Sequence, residues 1–194
     1  MHTKKQPQEI GILALQGAFR EHEAMLQRLG AGFREIRQRE DLTDTLDGII
    51  LPGGESTTQN KLLHETGLFT PLQQRINDGL PVMATCAGLI LLAKELSNDH
   101  RAGLATLPVR VRRNAYGRQL GSFSAHDNFA GLGPIPMHFI RAPYIERPLS
   151  DNVKILSKHD SHITAVQYKN QLAMSFHPEL TSDPHIHQYF LAML

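Results

Sequence analysis

The chain has little cysteine, no long apolar run and no excess of charge, and each of these shortages excludes a class of protein. A single cysteine among 194 residues excludes an internal disulfide, which fits a reducing compartment such as the cytoplasm. No apolar run approaches the roughly 20 residues that a membrane-spanning helix requires, so we expect neither an export signal nor a membrane anchor. A net charge of +1 argues against nucleic-acid binding, because such proteins concentrate Lys and Arg on one surface.

What the chain does contain is the composition of one globular domain. Apolar residues make up 41% and charged residues 20%, both near the averages of folded proteins. The length suits one α/β domain, so we expect a single domain over residues 1–194, with the polar residues 1–8 as a flexible N-terminal extension. No repeat, low-complexity tract or long linker indicates a second unit.

The first half alternates apolar runs with amphipathic ones, which predicts a mainly parallel sheet with helices on both faces. Residues 10–15, 48–51 and 81–85 have the pattern of buried strands. Residues 21–29 and 87–96 have the pattern of helices, the second apolar almost throughout.

The second half has a different pattern, with short strands separated by turn residues. The predicted strands are residues 109–113, 120–123, 138–142, 153–156, 163–168 and 172–176. These favour antiparallel additions to the sheet, followed by a final helix over about 185–194. Residues 124–137 are weakly patterned and are predicted to be a connecting loop.

Cys86 has the setting of a nucleophile. The strand at 81–85 leads directly into Cys86, and an apolar helix follows at once. This order is typical of a nucleophile elbow, in which small neighbours, here Ala84, Ala87 and Gly88, permit a sharp turn. The start of the helix would also stabilise a thiolate. A lone cysteine is more often a small buried apolar residue, so the prediction depends on this setting.

His177 and Glu179 are the candidate partners of that thiol among 11 histidines. His177 ends the apolar run 172–176, and Pro178 separates it from Glu179. Proline favours extended backbone before it, and residues two apart in an extended segment point to one side. The carboxylate would orient the imidazole, which would exchange protons with the nucleophile and the leaving amine. The motif is weak alone, but with an elbow cysteine it predicts a catalytic triad of Cys86, His177 and Glu179.

Two other histidine pairs, at 185 and 187 and at 159 and 162, have spacings that metal sites use. Neither comes with a convincing third and fourth ligand. We therefore expect no metal site and expect these four histidines to be solvated.

A glycine-rich segment, residues 51–57, follows the second predicted strand. A plain turn and a phosphate-binding loop are alternatives, but the spacing of known phosphate loops is absent. In an acyl-transfer enzyme such a segment supplies a backbone N–H to an oxyanion. We predict an oxyanion hole formed by Gly54 and by Ala87, the residue after the nucleophile.

Several blocks of the sequence resemble a known family. Pro52-Gly53-Gly54, the Thr85–Gly88 segment and the Phe176–Glu179 segment are similar to the motifs of class I glutamine amidotransferases. Longer blocks resemble one branch of that class, the glutaminase subunits of pyridoxal 5′-phosphate synthase. These blocks are residues 13–18 with 21–22, 53–58, 86–94, 113–119 and 139–143. The resemblance extends from residue 10 to about 183.

The resemblance implies a flavodoxin-like, three-layer α/β/α fold and hydrolysis of L-glutamine to L-glutamate and ammonia without a cofactor. It also implies a partner, a synthase subunit that uses the ammonia to make pyridoxal 5′-phosphate within a large hetero-oligomer in the cytoplasm. By the same resemblance the glutamine-binding residues would be Gly54, Glu55, Ser56, Arg113, Ile140 and Arg141. Without the family, the two arginines would be read as solvated or ion-paired strand residues.

One position departs from the family pattern, and three other functions stay open. The family usually has glycine two positions before the nucleophile, where this chain has Ala84, so the extra methyl is expected to shift the elbow or narrow the pocket. The alternatives are a class I glutaminase of another pathway, such as imidazole glycerol phosphate synthesis, a non-enzymatic regulatory relative, and a cysteine hydrolase for peptides or esters.

Overall fold

The structure is a computed structural model that describes residues 8–100, 102–113 and 121–194. Most of the predicted N-terminal extension and residues 114–119 of one family block lie outside these ranges. The strands are β1 Glu9–Leu13, β2 Gly32–Ile36, β3 Gly48–Leu51, β4 Val82–Thr85, β5 Ala93–Leu96, β6 Leu107–Arg112, β7 Ser122–Phe129, β8 Gly133–Ile140, β9 Tyr144–Pro148, β10 Lys154–His159, β11 His162–Tyr168 and β12 Gln171–Met174. The helices are α1 Phe19–Arg28, α2 Ser56–Glu65, α3 Phe69–Asn77, α4 Ala87–Leu92 and α5 His185–Leu191, with short 3-10 turns at Arg39–Asp41 and Pro178–Leu180.

The described strands form one mixed sheet. Its first half is parallel, in the order β2-β1-β3-β4-β12, and β11, β10, β7 and β8 continue it with antiparallel pairing. A branch of β5, β6 and β9 joins at β11. The predicted mainly parallel sheet with antiparallel additions is therefore confirmed. One detail differs, because β12 was expected among the additions but pairs in parallel with β4.

Side chains that alternate along the central strands build two cores, one on each face of the sheet. Ile10, Ile12 and Met83 pack on one face with α1 and α5, through Leu26, Ile186 and Phe190. Leu13, Ile49 and Val82 pack on the other face with α2 and α3, through Leu63, Leu68, Leu72 and Ile76. This is the three-layer α/β/α arrangement that the resemblance implied. The longest described helices have 10 residues, and no helix in these ranges is long and apolar enough to cross a membrane.

The helix predicted over residues 87–96 is shorter than expected. It ends at Leu92, where Ala93 turns to an extended backbone with φ −59° and ψ 134°. Residues 93–96 form β5, which pairs in parallel with β6. The prediction was wrong because the sequence alone does not mark where the buried helix ends and a short strand of mixed polarity begins.

The connecting loop predicted at residues 124–137 is also wrong. These residues form most of the β7–β8 hairpin, which pairs from Ser122 opposite Ile140 to Phe129 opposite Gly133. Pro134 and Pro136 lie in β8, although proline cannot donate to a strand ladder. β8 is the edge of the sheet, where the missing N–H groups are tolerated.

Candidate active site

Cys86 occupies a tight turn between β4 and α4. Its backbone has φ 47° and ψ −98°, a conformation that is uncommon for a residue with a side chain. The Cys86 N–H donates to the Met174 carbonyl at 2.9 Å, which fixes the turn against β12. Backbone strain of this kind persists where the surrounding structure imposes it, and it concentrates at functional sites. The local geometry is that of the predicted elbow.

Gly88 allows α4 to lie directly against β3. A Cβ atom built on Gly88 would stand 2.2 Å from the Leu51 carbonyl oxygen, a contact that no relaxed structure permits. A small residue is therefore required at this position because the helix and the neighbouring strand pack in direct contact there.

Gly88→Ala should destabilise the fold by about 3 kcal/mol or more, because the backbone of β3 or α4 must move to admit the methyl group. Gly121→Ala is the matched control, since a Cβ there meets no atom of the described residues within 4 Å, and it should change stability by less than about 0.5 kcal/mol. Urea unfolding followed by circular dichroism measures both. Equal midpoints for the two variants would contradict this packing account.

His177 and Glu179 meet as the sequence predicted, but by a different local geometry. His177 Nδ1 lies 2.7 Å from Glu179 Oε1, and both residues are buried. The segment Pro178–Leu180 is a 3-10 turn rather than an extended strand end, and the turn brings the carboxylate to the ring. The backbone N–H of His177 also donates to the His138 backbone carbonyl at 2.8 Å, which holds the histidine against β8.

The protonation of His177 is set by competing effects. Burial disfavours the charged ring, but hydrogen bonds with Cys86 and Glu179 and the negative charge of both partners outweigh it, raising the pKa of His177 to about 10. An imidazole with this pKa holds a proton at neutral pH while it faces a thiol. His177 and Glu179 thus have the contact that an imidazolium with an orienting carboxylate requires, and Cys86 lines the same cleft as His177.

A cleft of about 310 Å³ opens over Cys86, a volume suited to a small polar molecule. Its walls include eight residues predicted from the sequence, which are Gly54, Glu55, Ser56, Cys86, Arg113, Ile140, Arg141 and His177. The remaining predicted residues lie behind this lining: Ala87 begins α4, and Glu179 is buried against His177. The Ile140 carbonyl oxygen is 4.0 Å from the Cys86 sulfur.

Two charged residues of opposite sign, Arg113 and Glu55, form an ion pair in the wall of the cleft. Arg113 donates to Asp99, to Glu55 at 3.3 Å and to the Thr57 hydroxyl at 3.4 Å. Partial burial disfavours a charge on Glu55, but N–H donors from Thr58 and Thr57 at the start of α2 outweigh it and lower the pKa of Glu55 to about 2. A free amino acid carries both charges that this pair would match.

The glycine-rich segment packs tightly against His177. A Cβ on Gly53 would stand 2.2 Å from the His177 ring, and one on Gly54 would stand 2.5 Å from the Gln16 side-chain oxygen. These close approaches explain why two glycines occur together here. Gly54 lies on the cleft and Ala87 follows the nucleophile, but their predicted role as oxyanion donors stays a prediction.

Two residues on the cleft were not predicted as site residues, Gln16 and Ile90. Gln16 follows β1, and its side-chain oxygen accepts the Glu55 N–H at 2.9 Å. Its position directly after a predicted parallel strand could have identified it, because ligands bind beyond the carboxyl ends of such strands. Ile90 lies one helical turn after Cys86, where the spacing places it on the same side of α4.

Ala84, the departure from the family pattern, is fully buried in the core that faces α2 and α3. Among the described residues that line the cleft, Ala84 does not occur. The methyl group therefore packs in the core. It does not narrow the cleft, although the departure from the family pattern had suggested that it would.

Ala84→Gly should cost about 1–2 kcal/mol of stability, because it removes a buried methyl group and loosens the chain in a central strand. The same change should leave any turnover at the cleft within about twofold of the wild type, because Ala84 packs in the core and does not line the cleft among the described residues. A melting curve beside a kinetic assay tests this pair of outcomes. A large gain in kcat would show instead that the methyl group does constrain the elbow.

The histidines considered as metal ligands are only partly solvated. His185 is exposed and bonds to Asp183, whereas His187 is fully buried, with its Nε2 2.9 Å from His22 Nδ1. The prediction of a solvated His187 was therefore wrong, because α5 packs that side against α1. Within the residues that the structure describes, no group of three or more His, Cys, Asp or Glu side chains could hold a metal ion.

Comparison with known proteins shows which family the chain belongs to. Residues 12–194 match the SNO glutamine amidotransferase family. Pyridoxal 5′-phosphate synthase subunit PdxT of Desulfitobacterium hafniense is 59% identical over 182 residues, which cover 94% of this chain and 91% of that protein. The PdxT subunit of Methanocorpusculum labreanum is 55% identical over 185 residues, covering 95% and 97%. A crystal structure of a glutamine amidotransferase, 44% identical, superposes with a TM-score of 0.90 and covers 95% of this chain and 97% of that one.

Proposed function

The chain belongs to the SNO glutamine amidotransferase family, and from this premise we propose that it is the glutaminase subunit of a pyridoxal 5′-phosphate synthase. The observation that supports a working site best is the buried His177–Glu179 pair beside the strained elbow of Cys86, at the base of an amino-acid-sized cleft. Cys86 is the nucleophile, His177 the acid and base, and Glu179 the group that orients His177.

The reaction begins with attack of the Cys86 thiolate on the side-chain amide carbon of glutamine. The oxygen of that amide becomes negative and accepts hydrogen bonds from the backbone N–H groups of Gly54 and Ala87. His177 donates its proton to the departing nitrogen, so ammonia leaves and a γ-glutamyl thioester remains on Cys86. His177 then removes a proton from water, which attacks the thioester, and glutamate leaves with the thiolate and imidazolium restored.

The substrate is held by its amino-acid end. Arg113 pairs with the α-carboxylate, and Glu55, which stays ionised because of its low pKa, attracts the ammonium group. Ser56 and the backbones of Ile140 and Arg141 complete the contacts, and Gly54 lets the substrate approach the loop closely. This arrangement discriminates a free amino acid from a peptide or an ester, which lacks one or both of these charges.

The partner follows from the relatives, which are named as subunits of pyridoxal 5′-phosphate synthase. The ammonia passes to a synthase subunit within a hetero-oligomer in the cytoplasm, and the chain acts as one glutaminase domain without a cofactor, a nucleic acid or a membrane. A glutaminase of imidazole glycerol phosphate synthesis is disfavoured because these relatives, more than half identical to this chain, carry the other name. A non-enzymatic relative is disfavoured by the presence of all three triad residues and by the buried His177–Glu179 hydrogen bond.

The test is a glutaminase assay with and without the cognate synthase subunit, coupled to detection of pyridoxal 5′-phosphate. Glutamine hydrolysis should occur with the synthase present, and pyridoxal 5′-phosphate should accumulate when glutamine is the nitrogen source. Hydrolysis without any pyridoxal 5′-phosphate, together with co-purification of a different synthase, would overturn the pathway. Absence of glutamine hydrolysis, with cleavage of peptides or esters, would overturn the activity.

A further inference from the structure

The carboxylate of Glu179 has one oxygen that the triad does not use. Oε1 contacts His177, whereas Oε2 is buried and has no hydrogen-bond donor within bonding distance among the described residues. A buried carboxylate oxygen without a donor is costly, because it has lost water and gained nothing in return. His22 Nε2, on α1, lies 3.6 Å from this oxygen, and both side chains are fully buried.

The position of the proton on His22 follows from its two neighbours. Its Nδ1 lies 2.9 Å from His187 Nε2, so one of these nitrogens donates and the other accepts. If the proton were on Nδ1, the bare Nε2 would face Glu179 Oε2, and two acceptors would repel each other. His22 therefore carries its proton on Nε2, with the Thr85 hydroxyl 3.5 Å away as a second acceptor, and His187 Nε2–H donates to His22 Nδ1.

Both histidines of this pair are uncharged. Burial, together with the nearby His187 and His177, lowers the pKa of His22 well below its usual value. Burial, with a smaller effect of Arg28, lowers the pKa of His187 to about 4. A neutral N–H donor orients a carboxylate without cancelling its charge. A neutral His22 thus leaves intact the interaction by which Glu179 stabilises a protonated His177.

We propose that His22 is a positioning residue of the triad, which presents its Nε2–H to the free oxygen of Glu179 and is itself held by His187. The 3.6 Å separation is longer than a hydrogen bond, and the positioning role requires it to shorten in the substrate complex, where catalytic hydrogen bonds tighten. His22 lies behind the carboxylate and does not reach the substrate. The inference rests on the proposed glutaminase function, because the effect is exerted through His177.

Two variants of nearly equal size separate the donor from the packing. Glutamine at position 22 keeps an N–H near the place of Nε2, whereas methionine fills the same space without a donor. With the cognate synthase present, His22→Met should lower kcat by about 10-fold or more and leave KM within about twofold, because a lost hydrogen bond to a charged group has that size. His22→Gln should stay within about threefold of the wild type, which a merely structural role would not predict.

The outcome that overturns the proposal is a His22→Met enzyme with wild-type kcat, or an equal loss of kcat in both variants. Wild-type glutaminase activity is the reference in this assay. If the wild type hydrolyses no glutamine, the proposed function fails, whereas a fully active wild type with an unaffected His22→Met variant contradicts only the role of His22.

A second measurement needs neither a variant nor a substrate. Nitrogen NMR of the wild-type protein with isotope-labelled histidine reports which ring nitrogen carries the proton. Near neutral pH, His22 and His187 should both be neutral with the proton on Nε2. A charged His22, or a proton on its Nδ1, overturns the proposal even if the His22→Met variant fails to fold and whatever the enzyme's activity.

Discussion

Cys86→Ala should lower the glutaminase kcat by about 10⁴-fold or more, because it removes the only atom of the cleft that can form the thioester. Loss of a nucleophile that acts as one unit with its base costs nearly as much as loss of the whole triad. The assay measures ammonia release from glutamine with the cognate synthase present. The single cysteine of the chain means that this variant also abolishes all labelling by thiol reagents.

The stability of the Cys86→Ala protein serves as the control. Alanine keeps a Cβ at the same positive φ and preserves the N–H donated to Met174, so the strain of the elbow is unchanged. Its unfolding midpoint should therefore stay near that of the wild type. Full partner-dependent activity in a folded Cys86→Ala protein would remove Cys86 from the role of nucleophile.

Glu179→Gln should lower kcat by about 10³-fold while the protein stays folded. The amide has nearly the shape of the carboxylate, but it carries no charge to hold a protonated imidazole. Burial would then act on His177 with less opposition, so its pKa should fall from about 10. The pH dependence of kcat and of thiol alkylation at Cys86 measures this fall.

Asp183→Asn is the matched control for that substitution. His185 Nδ1 lies 2.7 Å from Asp183 Oδ1, the same separation as in the His177–Glu179 pair, but His185 is exposed and neither residue lines the cleft among the described residues. The kcat of the Asp183→Asn variant should stay within about twofold of the wild type, because an exposed ion pair contributes little to stability and this one lies outside the cleft. If Glu179→Gln were equally harmless, Glu179 would have no part in catalysis.

The central part of the fold was predictable because each buried parallel strand is a short, continuous apolar run. Residues 10–15, 48–51 and 81–85 correspond to β1, β3 and β4, and the helix after the first of them corresponds to α1. The elbow was predictable because its chemistry needs small residues beside the nucleophile. Gly88 shows the physical reason, since its missing side chain is the space that β3 occupies.

Other elements were not predictable because tertiary contacts determine them. β5, which contains the exposed Lys94 and Glu95, directly follows α4 and becomes a strand by pairing with β6. β2 and β9 went unpredicted, since short segments with mixed polarity resemble loops until neighbouring strands supply hydrogen bonds. The β7–β8 hairpin includes two prolines that only an edge strand accommodates.

Some residues of the cleft could be predicted from their neighbours in the sequence, and others are brought to it only by the fold. Cys86 and the glycine-rich segment have local signals, because a turn or a close approach demands particular residues. Gln16 joins them only because the carboxyl ends of β1, β3 and β4 meet at one edge of the sheet. His22 and His187 are 165 positions apart, and no local pattern predicts that they touch.

The most direct test of the central claim is to trap the γ-glutamyl thioester on Cys86. Enzyme and cognate synthase would be mixed with isotope-labelled glutamine, quenched in acid within the first turnover and mapped by mass spectrometry. The account predicts a labelled glutamyl group on the peptide that contains Cys86, and its loss after treatment with hydroxylamine. A first turnover that releases ammonia with no labelled group on Cys86, or with the group on another residue, would contradict it.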